Sequence, residues 1–328
     1  MGLSPAKIII GSALVLFTVI GSVALFKKGE KTGEETVQEI VIESPVTSVE
    51  APKEVLPIEK KEEKSEPLSL EISDVNLIDR LFTLDSSKLP IVETVSYTSR
   101  VPWLKGRPAW IADYATYYST SRHFIARSLN HKPDYFTQKV SPGDKFNVLK
   151  KDKDIQFYLV IDLSLCKMWF YYYDVGSAER VLLKTYNVGL GRKESAKASG
   201  FLTPIGKYEL GSRIAVYKPG IMGYLQEKKI EMMRVFGTRW IPFEKEVAGC
   251  SESPKGYGIH GSPWLNNSKG ELVEDRDHIS KYDSDGCIRL NSEDMEELFS
   301  IIITKPTTIE LVKDFRDATP PGIEKRIN

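Results

Sequence analysis

Two side chains in this chain carry the chemistry of a nucleophile and a base. Cys287 lies in Ser284-Asp285-Gly286-Cys287-Ile288-Arg289-Leu290, and His260 in Tyr257-Gly258-Ile259-His260-Gly261-Ser262-Pro263. A thiol with an ordinary pKa near ~8.5 is only a few per cent ionised at neutral pH, so it needs a neighbour to remove its proton. An imidazole placed across a site does this. Glycine at 286 allows close approach of backbone to substrate, and the Gly286 and Cys287 amides suit an oxyanion hole. Arg289 suits docking of a carboxylate or bracing of the site through an ion pair. Taken singly, a Cys is more often a small buried hydrophobe and a His a satisfied core residue.

The elements that must position these residues read mainly as strands from Ile155 onward. Phe157, Leu159, Ile161 and Leu163 alternate with Tyr158, Val160 and Asp162, and Lys167 to Tyr173 forms an aromatic-rich partner after a turn. Val181 to Val188 predicts a third strand ending in Gly189-Leu190-Gly191. Thr203-Pro204-Ile205-Gly206 predicts a turn before another strand, Lys207 to Leu210. Met295, Leu298, Phe299 and Ile302 have helical spacing, with Asn291 or Ser292 as the N-cap and Pro306 as the stop. A last strand, Thr308 to Val312, closes a fold that is mainly β with a packed helix (α+β).

Those landmarks, in order, resemble the L,D-transpeptidase catalytic domain family (YkuD, or ErfK/YbiS type) over about 155–313. The carriers are Tyr158 to Ser164, Lys167 to Tyr171, Val188 to Gly191, Phe201 to Tyr208, His260-Gly261-Ser262 and Ser284 to Leu290. The resemblance implies a β-sandwich in which Cys287 attacks the carbonyl joining a diamino acid to the terminal D-alanine of a peptidoglycan stem. D-alanine leaves, a thioester remains, and a neighbouring stem's amine resolves it into a 3→3 cross-link. With water as acceptor the enzyme is an L,D-carboxypeptidase instead; a non-catalytic envelope-binding module is a third reading. In the implied mechanism His260 shuttles the proton, the Gly261 carbonyl orients its ring, and neither metal nor organic cofactor takes part. The partners are donor and acceptor stem peptides, with Ser284, Asp285 and Arg289 as the substrate-binding candidates.

Two features depart from the family pattern. His260 and Cys287 are 27 residues apart, and the surplus, roughly Asn266 to Lys281, reads as an enlarged active-site flap. It contains His278, which competes with His260 as base. Asp285 stands where a basic residue is commoner, and its charge disfavours thiolate; it suits instead the free amine of the diamino acid. Tyr257, Trp264 and Tyr282 flank the site as groove or packing residues.

The remaining chain sets the organisation. Ile8 to Phe26 are nineteen residues without a charge; a helix of that length spans roughly 28 Å, close to the bilayer core. We read residues 1–28 as a transmembrane anchor rather than a cleaved signal peptide; the family resemblance, whose substrate lies outside the cytoplasmic membrane, implies a single-pass protein of the bacterial inner membrane with its catalytic domain in the envelope. Residues 29–68, without an aromatic side chain and dominated by Lys, Glu, Pro and Val, read as a disordered tether. Residues 69–150 form a small accessory region. Ile111, Tyr114, Ala115 and Tyr118 predict one helix, Ser121 to Leu129 a second, and Lys145 to Leu149 a strand. This stretch resembles the second half of a LysM module, or serves as a helical packing element. The catalytic domain takes 151–314 and a tail 315–328. With 45 basic and 45 acidic residues, nothing in the charge points to nucleic acid. Three cysteines exclude a disulfide scaffold, though a Cys166–Cys250 bridge is compatible with an oxidising envelope.

Overall fold

The computed structural model describes residues 75–132, 139–225 and 227–327. The anchor and tether expected at 1–28 and 29–68 lie outside them. Among the described residues no helix is long and apolar enough to cross a membrane.

The accessory region begins with α1 (Asp79–Phe82), followed by β1 (Val92–Ser96), α2 (Ile111–Tyr117), α3 (Arg122–Asn130) and β2 (Lys145–Leu149). The strands pair antiparallel, Val92 opposite Leu149 and Ser96 opposite Lys145, and enclose the two helices in sequence. Ser121 caps α3 by accepting the Phe124 N–H at 3.0 Å, and His131 closes it in the left-handed conformation.

The larger region follows as β3 (Ile155–Asp162), β4 (Lys167–Asp174), β5 (Glu179–Asn187), β6 (Leu190–Gly191), β7 (Gly206–Leu210), β8 (Ala215–Val216), β9 (Met222–Leu225) and β10 (Lys228–Glu231). Then come α4 (Met233–Phe236), β11 (Arg239–Ala248), β12 (Gly258–Gly261), β13 (Trp264–Asn266), β14 (Leu272–Glu274), β15 (Tyr282–Ser284) and β16 (Ile288–Leu290). The last elements are α5 (Ser292–Ile302), β17 (Thr307–Val312) and β18 (Ile323–Glu324).

The expected sandwich of two sheets is not what forms. One continuous mixed sheet runs β16-β12-β11-β7-β17-β3-β4-β5-β18, with β8 attached to β11. Its centre is buried on both faces, so the simple alternation expected of β3 fails. Phe157, Leu159 and Ile161 enter the main core, while Tyr158 and Val160 join Trp169, Tyr171 and Val312 in a second cluster behind the sheet. That second cluster needs a cover, and the segment expected to be a tail supplies it. Phe315 sets its ring 4.3 Å from that of Trp169, and β18 adds to the sheet edge parallel to β5.

The main core also reaches back across position 150. Ile78, Leu81, Phe82, Leu89, Ile91 and Phe124 pack with the sheet and with Leu298, Phe299 and Ile302 of α5. Each such apolar side chain contributes about 1.5–3 kcal/mol by leaving water. Polar links join the same surfaces: Leu77 N–H donates to Leu183 O at 2.7 Å, Thr304 Oγ1 to Ser119 O at 2.9 Å, and Ser121 Oγ to the Ser300 carbonyl. The accessory strands and helices therefore share a body with the sheet.

Candidate active site

The site is built where three strands meet. In β11 and β12, Trp240 stands opposite His260; in the parallel pair β12 and β16, His260 stands beside Arg289 and Ile259 beside Ile288. Side chains alternate faces along a strand. Ile259 and Ile288, both fully buried, therefore point into the main core, and Trp240, His260 and Arg289 share the opposite face. Cys287 immediately precedes β16, so the parallel ladder brings it to the level of Gly258.

His260 is buried, and its Nδ1 lies 2.8 Å from the Gly261 carbonyl oxygen. A carbonyl only accepts, so Nδ1 carries the proton and Nε2 presents a lone pair. Phe236 meets the ring edge-on at 5.3 Å, and Trp240 stacks beside it at 5.9 Å. Burial, reinforced by the Arg289 charge, pushes the imidazole down to about 3, with the Gly261 carbonyl opposing.

Cys287 is half-buried and packs against a small cluster of Tyr217, Met232, Met233, Phe236 and Trp240. Its Sγ is 3.6 Å from the Gly256 carbonyl. Burial pushes the thiol up to about 12; the Gly258 amide and Arg289 pull it down, and Asp285 adds to the rise. The resting site therefore holds a neutral thiol and a neutral imidazole, not an ion pair.

The turn before the thiol is closed by its own residues. Gly286 has φ +115°, and a Cβ there would come within 2.6 Å of the Tyr257 ring and 2.9 Å of the Leu202 carbonyl. Ser284 Oγ accepts the Gly286 N–H at 3.1 Å and donates to the Cys287 carbonyl at 2.7 Å, fully inside the protein. This corrects two expectations. The Gly286 amide is already engaged, and the Ser284 hydroxyl donates and accepts within the turn itself. Gly191 fits under the same turn, with its N–H donating to Thr203 Oγ1 at 2.7 Å and room for no Cβ beside the Gly286 Cα.

The segment 266–281 is not an open flap. β13 and β14 pair as a hairpin clamped to the start of α5. Glu274 accepts the Ser292 N–H at 2.5 Å, Arg276 bridges Glu274 and Glu293, and Trp264 Nε1 donates to Ser292 Oγ at 3.3 Å. His278 is held between two carboxylates, Nδ1 to Asp283 at 2.5 Å and Nε2 to Asp275 at 3.2 Å. Both its nitrogens face carboxylates, whereas His260 has only Nδ1 engaged by the Gly261 carbonyl. Asp283 also holds Arg289 Nη1 at 2.7 Å. Asp285 is exposed and pairs with Arg192 at 2.6 Å.

Of the flanking aromatics, Tyr257 walls the Gly286 turn, while Tyr282 stacks on Phe201 and donates to the Leu163 and Ser164 carbonyls. All three cysteines are free thiols; the Cys166–Cys250 bridge does not form, and Cys250 Sγ instead sits 2.9 Å from the Lys207 carbonyl. Phe236, Trp240, Tyr217, Arg192 and Asp283 went unread in the sequence. The aromatics look like ordinary core residues, and the charged pair carries no motif.

Residues 156–311 match the family model of the YkuD, L,D-transpeptidase catalytic domain. This segment belongs to that family. The YkuD segment contains His260, Cys287 and every strand that positions them, and leaves out β1, β2 and the helices between. No curated protein matches the chain. Among solved structures, the chain is similar to the helical cell shape determining protein Pgp2 from Campylobacter jejuni at 18% identity and TM-score 0.34, covering 52% of this chain and 50% of that one. It is similar to Bd1075 of Bdellovibrio bacteriovorus at 13% identity and TM-score 0.33, covering 48% of each. The matched region thus spans about half the length of these structures.

Proposed function

We propose that the YkuD domain is a peptidoglycan L,D-transpeptidase with Cys287 as nucleophile and His260 as base. The observation that carries this is the fixed tautomer of His260, whose Nδ1–H is held by the Gly261 carbonyl so that Nε2 carries the lone pair, with Phe236 and Trp240 packed against both the ring and Cys287. The Cys287 proton passes to Nε2 as sulfur attacks the carbonyl between the diamino acid and D-alanine of a tetrapeptide stem. The imidazolium then protonates the departing amine of D-alanine, and the stem stays as a thioester. An acceptor amine attacks the thioester, its proton returns through His260 to sulfur, and a 3→3 cross-link is released.

A thiol pushed up to about 12 is ionised in only on the order of one molecule in 10⁵ at neutral pH, so proton removal must accompany attack. The apolar wall of Tyr217, Met232, Phe236 and Trp240 keeps water scarce at the thioester and so supports an amine acceptor over hydrolysis. In the same proposal residues 8–26 hold the chain in the inner membrane and 29–68 let the domain reach the wall.

The full chain in detergent, incubated with disaccharide-tetrapeptide, tests this by product mass. Free D-alanine with a dimer supports transpeptidation, and tripeptide monomer alone converts the reading to a carboxypeptidase. Unchanged substrate, with the result identical for Cys287→Ala, removes the enzyme reading altogether.

A further inference from the structure

The loop between β1 and α2 turns its apolar side chains inward and a cationic, aromatic set outward. Its ends close on each other: the Ala109 N–H donates to the Ser99 carbonyl at 2.8 Å, and Tyr97 Oη donates to the Ala109 carbonyl at 2.8 Å. Inside, Val101, Trp103 and Leu104 pack on the small core of the accessory region, and the Trp103 ring stacks 4.3 Å from Tyr117. Compact closed loops of this kind are frequently functional.

The outward side carries what the fold does not need. Arg100, Lys105, Arg107 and Trp110 are exposed, and Trp110, at 65%, is the most exposed aromatic side chain among the described residues. Its backbone is nonetheless fixed. The Trp110 N–H donates to Asp113 Oδ2 at 2.8 Å, and Arg107 grips the same carboxylate through two nitrogens at 2.6 and 2.8 Å. Lys151 adds a further cation 3.5 Å over the Tyr117 ring on which Trp103 stacks. Among the described residues no carboxylate pairs with Arg100, Lys105 or Lys151. The wider stretch repeats the bias: Thr94 to Lys151 holds ten Lys or Arg against three Asp, in a chain whose charges balance.

An indole held out among cations fits a boundary that is wet on one side, apolar on the other and negatively charged. Indole rings settle at the headgroup level of a bilayer, and each Lys or Arg close to an anionic leaflet raises affinity about fivefold. A soluble anionic polymer would match the cations and leave the indole unused. We propose that loop 100–110 docks on an anionic lipid surface, with Trp110 as the apolar contact and Arg100, Lys105 and Lys151 as the charges. One indole and a few cations bind weakly and reversibly by themselves. With the anchor proposed above for residues 8–26 as the first membrane contact, the loop is a second that lowers the domain onto the bilayer and lets it go.

The test reconstitutes the full chain into vesicles of brominated phosphatidylcholine, with and without phosphatidylglycerol, and measures tryptophan emission. With phosphatidylglycerol the expected loss approaches about a fifth of the emission, one indole of the chain's five. That loss disappears in Trp110→Phe, in neutral vesicles and at high salt. Arg100→Gln combined with Lys105→Gln restores most of the emission too. Quenching that is equal in neutral and charged vesicles, or unchanged in Trp110→Phe, overturns the proposal. So does an emission shift, absent from Trp110→Phe, that soluble polyphosphate produces and vesicles do not; the loop would then belong to an anionic polymer. Flotation with neutral vesicles reports separately on the anchor: a chain that fails to float loses the anchor, while quenching by charged vesicles still decides the loop.

Discussion

One carboxylate, Asp283, joins Arg289 at 2.7 Å through Oδ1 and His278 at 2.5 Å through Oδ2. The hairpin segment 264–278 is thereby coupled to the arginine that lies beside His260 in the ladder. Asp283→Asn keeps the shape and removes the charge. We expect kcat/KM to fall between about 10- and 100-fold as Arg289 loses its orientation, because small misplacements at a site are costly. Stability should drop by about 1 kcal/mol or less, since Asp283 is partly exposed. Steady-state kinetics set against urea unfolding separates the two; equal loss in both would make Asp283 a folding residue only.

The buried imidazole makes stability depend on pH. His260 is held at about 3 in the folded protein against 6.5 when unfolded. Below 6.5 the unfolded chain binds a proton that the folded one refuses, so stability is full above that value and declines as pH falls towards 3. The linked loss has an upper bound of about 5 kcal/mol. Denaturation at a series of pH values should show this slope in the native protein and a flatter one in His260→Gln. On the alkaline side, the rate of Cys287 alkylation should still be rising above pH 9, because the thiol is pushed up to about 12.

Glycine at 286 is required by both angle and space. Gly286→Ala forces a Cβ against the Tyr257 ring and the Leu202 carbonyl at φ +115°. The expected outcome is a loss of at least about 3 kcal/mol with no detectable turnover. Gly270→Ala is the comparison, with φ +80° but nothing within 4 Å. It should cost only about 1 kcal/mol and leave turnover intact. Thermal melts and product assays on the two variants decide it.

Phe124 ties the accessory helices to the sheet and sits 5.0 Å from the Phe82 ring, fully buried. Phe124→Ala should cost about 3–5 kcal/mol in a single cooperative transition that includes the YkuD segment. Two separated transitions, with only the first displaced, would mean that residues 75–150 fold as an independent body.

Strong periodicity made part of this molecule readable from its residues. Tyr158 to Asp162, Lys167 to Tyr173 and the Met295–Ile302 stripe all occupy the elements expected of them, because each segment carries enough apolar surface to decide its own pairing. Residues 211–257 gave no such signal. β11 has Pro242 in its middle and Glu244 to Ala248 exposed, and a proline argues against a central strand unless, as here, it falls at the rung opposite Gly258. The walls of the His260 pocket were lost with it, since Phe236 and Trp240 are positioned by β11 and by α4 just before it. Arg192 follows the expected strand end Val188 to Gly191 without a motif of its own, and only the pairing of β6 with β15 puts it beside Asp285.

The three-rung parallel ladder between β12 and β16 sets His260 and the start of the Cys287 strand side by side, independently of how long the hairpin tip between them is. The hairpin tip, Asn267 to Glu271, closes on its own hydrogen bonds. Lengthening a closed loop adds conformational cost only logarithmically. The unusual spacing of His260 and Cys287 is thus a site where evolution, or an engineer, can splice in a peptide tag or a binding loop without retuning the catalytic pair.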